Sequence, residues 1–222
     1  MELNDVMRTT FAAREFTGEV VPDAIIHDLI ENARFAPSGG NRQGNRVIVV
    51  RDAGTRDALA TLAEPAAKLY VAQSKLGESP WNAVTPTKAT ATEIEATPAA
   101  PMLVNSFRDA SVVLVFVVDL RVVASMDQDL DRIGMISGAS IYPFVWNVLM
   151  GARQAGFGGT ITTLAVAREA DVQKLLNIPA EFAVAAVVPL GKPVKQLTKL
   201  RRKSVEEIAS RESFDGPQFK KY

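Results

Sequence analysis

No cysteine occurs among the 222 residues, and histidine occurs once, as His27. The first absence excludes a disulfide framework, a zinc–thiolate site, an iron–sulfur cluster and a cysteine nucleophile. The second excludes a metal site built from several histidines and leaves a hydrolytic triad only this one imidazole. Charge of one sign is also missing: 25 Lys and Arg balance 25 Asp and Glu. That balance argues against a protein that coats nucleic acid and permits close self-association. Long apolar runs are absent as well. Val112–Val118 is too short to span a bilayer. Glu2, Asp5 and Arg8 stand where a secretory signal would place a basic start and an apolar run. These absences predict a soluble, cytoplasmic chain with no membrane and no nucleic-acid partner.

What is present suits a folded domain. Apolar residues make up 47% and charged residues 23% of the chain, enough for a sizeable core and too little charge for bulk disorder. Ile25, Ile26, Leu29, Ile30, Ala33 and Ala36 recur at helical spacing after Pro22 and before Pro37, which predicts a helix over Pro22–Ala36. His27 lies off that stripe and reads as a surface residue. Arg46–Arg51, Ser111–Leu120 and Phe182–Leu190 read as strands, short and β-branched. Helices are expected at Thr55–Leu62, at Ala66–Gln73 after a break at Pro65, and at Glu169–Leu176. Gly134–Ala155 reads as a long apolar helical stretch interrupted near Pro143, and the tail from Ser204 starts helical. Between Ser74 and Asn105, four prolines and weak periodicity predict an excursion. It is either a plain surface loop or a lid over a site, with Trp81 and Phe107 as apolar contacts. Interleaved strands and helices make the class mixed, α/β or α+β, and no second domain is evident across residues 1–222.

Three features carry possible chemistry. Arg14 precedes a loop; such an arginine is usually solvated, yet its fork of donors suits a phosphate. Pro37-Ser38-Gly39-Gly40-Asn41-Arg42-Gln43 is by composition a helix-stopping turn. It also gathers small residues and neutral amides able to approach and read a flat heteroaromatic ligand. Gly156-Phe157-Gly158-Gly159-Thr160 follows a helix rather than a strand, so it is not a dinucleotide fingerprint. The basic run Lys195–Lys203 is a solvated face or a weak anion site.

Taken in order, these segments resemble the nitroreductase family of FMN-dependent oxidoreductases. The resemblance runs through Thr9–Phe16, Val21-Pro22-Asp23, Ala33–Gln43 and Ile141-Tyr142-Pro143 with Asn147. It continues in Gly156-Phe157-Gly158, Leu175–Pro179, Val187–Pro193 and Arg202–Glu207. It implies an α+β fold, with a mostly antiparallel central sheet flanked by helices, in an intertwined homodimer holding two FMN at its interface. By the same carry-over, Arg14 and Arg202 hold the FMN phosphate. Pro37, Ser38, Gly39 and Asn41 flank the isoalloxazine and ribityl chain, and Gln43 reaches in from the other subunit. Gly158, Gly159 and Thr160 lie beside flavin N5 and O4. No side chain is implied as catalytic and no metal is needed.

The reaction implied is a two-stage cycle. NADH or NADPH reduces the flavin, and a small electron-poor acceptor, such as a nitroaromatic or quinone, takes the electrons. Dehalogenation, heterocycle oxidation, flavin fragmentation and flavin binding with little turnover are the alternatives on the same scaffold. The sequence departs from the family pattern at several places. Thr10 or Phe11, and Ala12, stand where many members have a basic residue and a serine that touch the phosphate. Arg8, Thr10 and Arg201 are the candidates to replace that contact. Gln43-Gly44-Asn45 stands in place of Gln-Pro-Trp, and Trp146 in place of a glutamine.

Overall fold

The computed structural model describes residues 1–221. The valine-rich run after Ser111 forms β2 (Val112–Asp119), and seven of its eight residues are buried. β-Branched side chains are stiff and suit a pleated surface. A strand without a polar face must be covered on both sides. β1 (Asn45–Val50) and β4 (Phe182–Gly191) pair antiparallel with its two edges. The two-residue β3 (Gly158–Gly159) pairs antiparallel with the outer side of β4, so the order is β1-β2-β4-β3. The chain therefore has the α+β architecture expected, and its three long strands end within one residue of their expected limits.

The described residues contain eight α-helices. They are α1 (Leu3–Thr9), α2 (Asp23–Ala33), α3 (Ala53–Lys75), α4 (Ala91–Ala96), α5 (Pro101–Asp109), α6 (Tyr142–Gln154), α7 (Glu169–Leu176) and α8 (Val205–Ile208). Side chains alternate along β2, which splits the core in two. Val112, Leu114, Phe116 and Val118 pack with α2 and α6; Val113, Val115 and Val117 pack with α3, α5 and α7. The Phe144 ring on α6 meets Phe116 edge-on at 5.7 Å. In β4 the alternation slips once, where the register with β2 shifts between Phe116 and Val117. Ala185 and Ala186 then both face the α2/α6 side. The bulge keeps the buried pattern in phase at both ends of a long strand.

Three expectations are corrected. Pro65 does not divide a helix: α3 runs unbroken for 23 residues. Proline inside a helix costs roughly 3 kcal/mol, but Leu59, Ala60, Ala63 and Ala67 around it are fully buried in the second core, and that packing holds the rod straight through. Pro143 starts α6 instead of interrupting it, sitting in the first turn where no amide donor is required. A 3-10 turn, Ile136–Ser140, precedes it. The excursion after Ser74 holds more structure than its composition suggests. Thr90 and Glu93 form a reciprocal capping box on α4, and α5 begins at Pro101. Phe107 lies on α5, fully buried between α3 and β2; it is core, not a contact of any lid. His27 lies exposed on α2, 3.8 Å from Asp28. Among the described residues no helix is long and apolar enough to cross a membrane.

The placement of Phe107 has a measurable consequence. Phe107→Ala is expected to lower unfolding free energy by about 3–5 kcal/mol, as buried phenylalanine truncations do, read by urea denaturation. A stability loss under 1 kcal/mol would return Phe107 to a surface role.

Candidate functional site

Arg14 sits on an extended stretch gripped from both sides. Ala13 N–H donates to Gly159 O at 3.0 Å, and Val194 N–H donates to Glu15 O at 3.0 Å. Phe16 bridges to Pro193. The grip is possible because its neighbours are glycines. A Cβ on Gly158 would lie 2.9 Å from the Pro193 ring, and one on Gly159 would lie 2.5 Å from Pro189 O. Gly158, Gly159 and Thr160 are accordingly buried, and the cavity beside Arg14 does not include them in its lining.

That cavity measures about 490 Å³ and is walled by Arg14, Tyr70, Trp81, Leu103 and the stretch Ile161–Leu164. A second recess of about 420 Å³ shares Arg14, Tyr70 and Leu103 with it and is also lined by Ser74 and Lys75. Arg14 is half-buried at the junction and makes no hydrogen bond or ion pair with any described residue. Thr162 exchanges both backbone hydrogen bonds with Val187 of β4, each 2.9 Å. In extended chain the neighbouring amides point the other way. Ile161 and Thr163 are both in the cavity lining, and no described residue accepts from their N–H groups. Sequence reasoning stopped at Thr160. The signal it passed over is the alternation itself, which continues past the buried run Gly158–Thr160 into Ile161–Thr163.

Trp81 was expected as a lid contact, and it is the bulky wall of this cavity. Its backbone adopts the left-handed φ of 57°, rare for a large side chain. It is held there by its own N–H, which donates to Gln73 Oε1 at 3.1 Å; Gln73 is buried on α3. Glu78 braces the same segment by accepting from Lys88 N–H and Thr87 Oγ1, each at 2.7 Å. Those two bonds hold its carboxyl below the ordinary range.

Pro37, Ser38, Gly39, Asn41 and Gln43 form a separate cluster. Ser38 Oγ accepts from Gln43 N–H at 3.0 Å, and the Gln43 amide donates to Asn41 Oδ1 at 3.2 Å. Gly40, Asn41 and Gln43 all have left-handed φ, between 50° and 62°. Such outliers persist where surrounding structure over-determines them. Ser38 and Gln43 are bonded within one turn, so each copy of the chain presents them together. Gly44 also has a reason to replace proline: a Cβ there would lie 2.6 Å from Val122 Cγ2. The turn leads into β1, at one edge of the sheet; Arg14 lies beside β3, at the other. Three strand spacings of roughly 4.8 Å separate those edges. The cavity lined by Arg14 includes none of residues 37–43, and the cavity of about 520 Å³ lined by Gln43 does not include Arg14. Arg202 joins neither group. It lies exposed in the tail, donating to Arg201 O at 2.8 Å. Trp146 lies on the outward side of α6, 40% exposed.

The Pro37–Gln43 turn is braced from behind by the segment after β2. Gly39 N–H donates to Ser140 Oγ at 3.1 Å, and Arg42 reaches Val122 O at 3.4 Å. That segment is organised by Asp127, only 3% exposed. Its carboxylate accepts from Met135 N–H at 2.7 Å and Arg132 at 2.8 Å. The Met135 amide foremost, then Arg132 and the Ile136 amide, outweigh burial and hold this carboxyl below its ordinary range.

The Nitroreductase family profile matches residues 7–192. Solved structures superpose over nearly the whole chain. Iodotyrosine deiodinase, bound to FMN and 3-iodo-L-tyrosine, is 19% identical with a TM-score of 0.69, covering 96% of this chain and all of its own. Nitroreductase A from Vibrio parahaemolyticus is 16% identical with a TM-score of 0.69, covering 97% and 77%. The NADPH:FMN oxidoreductase from Vibrio harveyi, complexed with NAD+, is 16% identical with a TM-score of 0.66, covering 96% and 78%.

The Asp127 brace generates a prediction. A carboxyl whose folded pKa lies below the unfolded value of about 3.9 stabilises above that pH and loses its contribution as pH falls through the folded value. Hydrogen-exchange protection across residues 125–136, measured relative to the intrinsic rate at each pH, should therefore fall below about pH 4, and Asp127→Ala should reproduce the lost protection at pH 7. Unchanged protection in the variant would remove Asp127 from this role. With the alternating cavity wall, the match over residues 7–192 and the shared fold in view, this chain belongs to the nitroreductase family.

Proposed function

We propose that the chain is an FMN-dependent oxidoreductase that works as a homodimer and passes electrons from NADH or NADPH to a small electron-poor acceptor, such as a nitroaromatic or quinone. The observation that carries this reading is the cleft at Arg14. Arg14, a cation with no partner among the described residues, lines both recesses; Tyr70, Trp81 and Leu103 make an apolar and aromatic lining, and Ile161 and Thr163, with unbonded amides, belong to it. Its volume lies in the range of small-ligand sites. A planar ring on a phosphate-bearing chain has the matching chemistry, and the family supplies FMN as the candidate.

When bound, the flavin supplies hydride and electron transfer between the nicotinamide donor and the acceptor. The protein's part is to bind, orient and tune. Arg14 holds the phosphate by charge-assisted hydrogen bonds. The N–H groups of Ile161 and Thr163 take the role the resemblance gave to Gly158, Gly159 and Thr160, donating to a ring edge that becomes more negative on reduction. Pro37, Ser38, Gly39, Asn41 and Gln43 act as one unit and flank the ring from a second copy of the chain. The support for the second copy is that each protomer carries the two half-sites on opposite sheet edges. In addition, the Asp127 loop exposes four large apolar side chains, Met126, Leu130, Ile133 and Met135, which a subunit interface would cover. Arg202 reaches a phosphate only if the tail moves from the position described above.

Reductive dehalogenation is the second reading. It is favoured by the deiodinase, which this chain's fold matches over that protein's full length.

Purified protein is expected to be yellow and to release FMN on denaturation. Arg14→Ala should weaken FMN binding roughly tenfold or more, the effect of losing a hydrogen bond to a charged group, with little change in thermal stability. Anaerobic reduction by NADPH followed by oxidation with nitrofurazone or 3-iodotyrosine separates the two reactions. Flavin that binds but resists NADPH would mark a binding protein, and a colourless protein that FMN cannot reconstitute would end the flavin reading.

A further inference from the structure

Gln73, in the last turn of α3, is a buried polar side chain, only 5% exposed. The segment that follows is tied to it at three points. Its backbone O accepts from Leu76 N–H at 3.1 Å and from Glu78 N–H at 3.0 Å, and its Oε1 accepts from Trp81 N–H at 3.1 Å. Its side-chain amide also adds to the hydrogen bonding that keeps the Glu78 carboxyl low, after Lys88 N–H and the Thr87 hydroxyl. One residue thus fastens the turn from Leu76 to Trp81, and Glu78 extends the hold to Lys88.

The fastening secures an unusual conformation. Among the described residues, Trp81 is the one aromatic residue with left-handed φ. That backbone crowds Cβ against the following carbonyl, so a bulky residue stays there only where its surroundings enforce it. The indole is itself uncommitted: among the described residues no ring or cation stacks on it and nothing accepts from its N–H. It belongs to the lining of the 490 Å³ cavity and is still 50% exposed.

We propose that Gln73 is a positioning residue for acceptor choice: its side-chain carbonyl holds Trp81 left-handed, which keeps an unstacked indole in the cleft as the surface on which a flat, electron-poor acceptor lies. This deepens the flavin reading above and rests on it. Trp81 stands on the exposed excursion, outside the strand frame, where a ligand that comes and goes must pass. An electron-poor ring stacks offset on an indole face. Gln73 lines no part of the cleft, so its effect on the acceptor passes through Trp81. A return of Trp81 to ordinary backbone angles would turn the indole away.

The test compares two acceptors with the flavin-loaded, full-length protein: nitrofurazone, a flat ring, and ferricyanide, which has no ring to stack. Trp81→Asn removes the indole but keeps a residue that tolerates left-handed φ. It should lower the ratio of kcat/KM for nitrofurazone to that for ferricyanide about fivefold, the scale of one aromatic stack. Gln73→Met, similar in length but without the carbonyl, should lower the same ratio, with the change carried by the KM for nitrofurazone rather than by kcat. Trp81 and Trp146 are the two tryptophans of the chain. In a Trp146→Phe background, Gln73→Met should therefore shift the emission of Trp81 to longer wavelength as the indole leaves the wall. An unchanged ratio in Trp81→Asn would overturn the stacking surface. An unshifted emission in Gln73→Met, or an equal loss with both acceptors and a lower melting temperature, would reduce Gln73 to a support of the fold. Wild-type protein that holds no flavin, or whose flavin NADPH does not reduce, overturns the flavin reading itself, a result distinct from an unaltered ratio.

Discussion

Everything in this molecule hangs on a strand that has no outside. β2 is buried on both faces and paired on both edges, so two cores share it and neither can open without exposing it. Burial of apolar side chains is worth roughly 1.5–3 kcal/mol for each large one, which makes β2 the most costly element to disturb. β4 inherits its position from that pairing. Through β4, the glycine pair of β3 and the stretch Ile161–Thr163 inherit theirs. Arg14 is one step further out, fastened to Gly159 and to the segment after β4. The candidate cleft is thus the periphery of a rigid frame, and its aim is set by strand pairing rather than by any contact within the cleft.

The two sheet edges are used in different ways. At the β3 edge, small residues let backbone approach backbone, and the cavity opens where the alternation turns outward. At the β1 edge, a turn with three left-handed residues is buttressed by a loop whose keystone is a buried carboxylate. Strain is present in both places, at Trp81 near one edge and Gln43 near the other, and in each case a side-chain hydrogen bond secures the unusual backbone. Pre-set geometry of this kind lowers the ordering cost of binding.

Much of the frame was legible in the sequence because it is written in periodicity. Val112–Val118 could only be a doubly covered strand, and the stripe after Pro22 only a packed helix face. Local rules failed where packing overruled them. Pro65 reads as a break, yet the alanines around it weld α3 into one rod, and only that continuity carries Tyr70, Gln73 and Lys75 to the cleft. Pro143 reads as an interruption, though its ring fits a first turn. Phe107 lay in a stretch whose composition is loop-like, and nothing local announced that α5 would bury it. The candidate site was read from an ordered set of motifs, Arg14 and the Pro37–Gln43 turn among them, which one chain places at opposite edges of the sheet. Which residues after Gly159 line the cavity beside Arg14 was not legible, because that depends on a bridge between Thr162 and Val187, distant in sequence.

The unequal stiffness of these parts bears on how such proteins diverge. A four-strand frame with a shared central strand tolerates turnover almost everywhere else, so chains with fewer than one residue in five in common still superpose over their length. The segments from Leu76 to Ala100, beside the cleft, and from Leu120 to Ile141, behind the Pro37–Gln43 turn, lie outside that frame and can be rewritten without refolding it. New chemistry on this scaffold therefore asks for edits to the rim alone, and the rim is where a descendant of this gene has freedom to experiment.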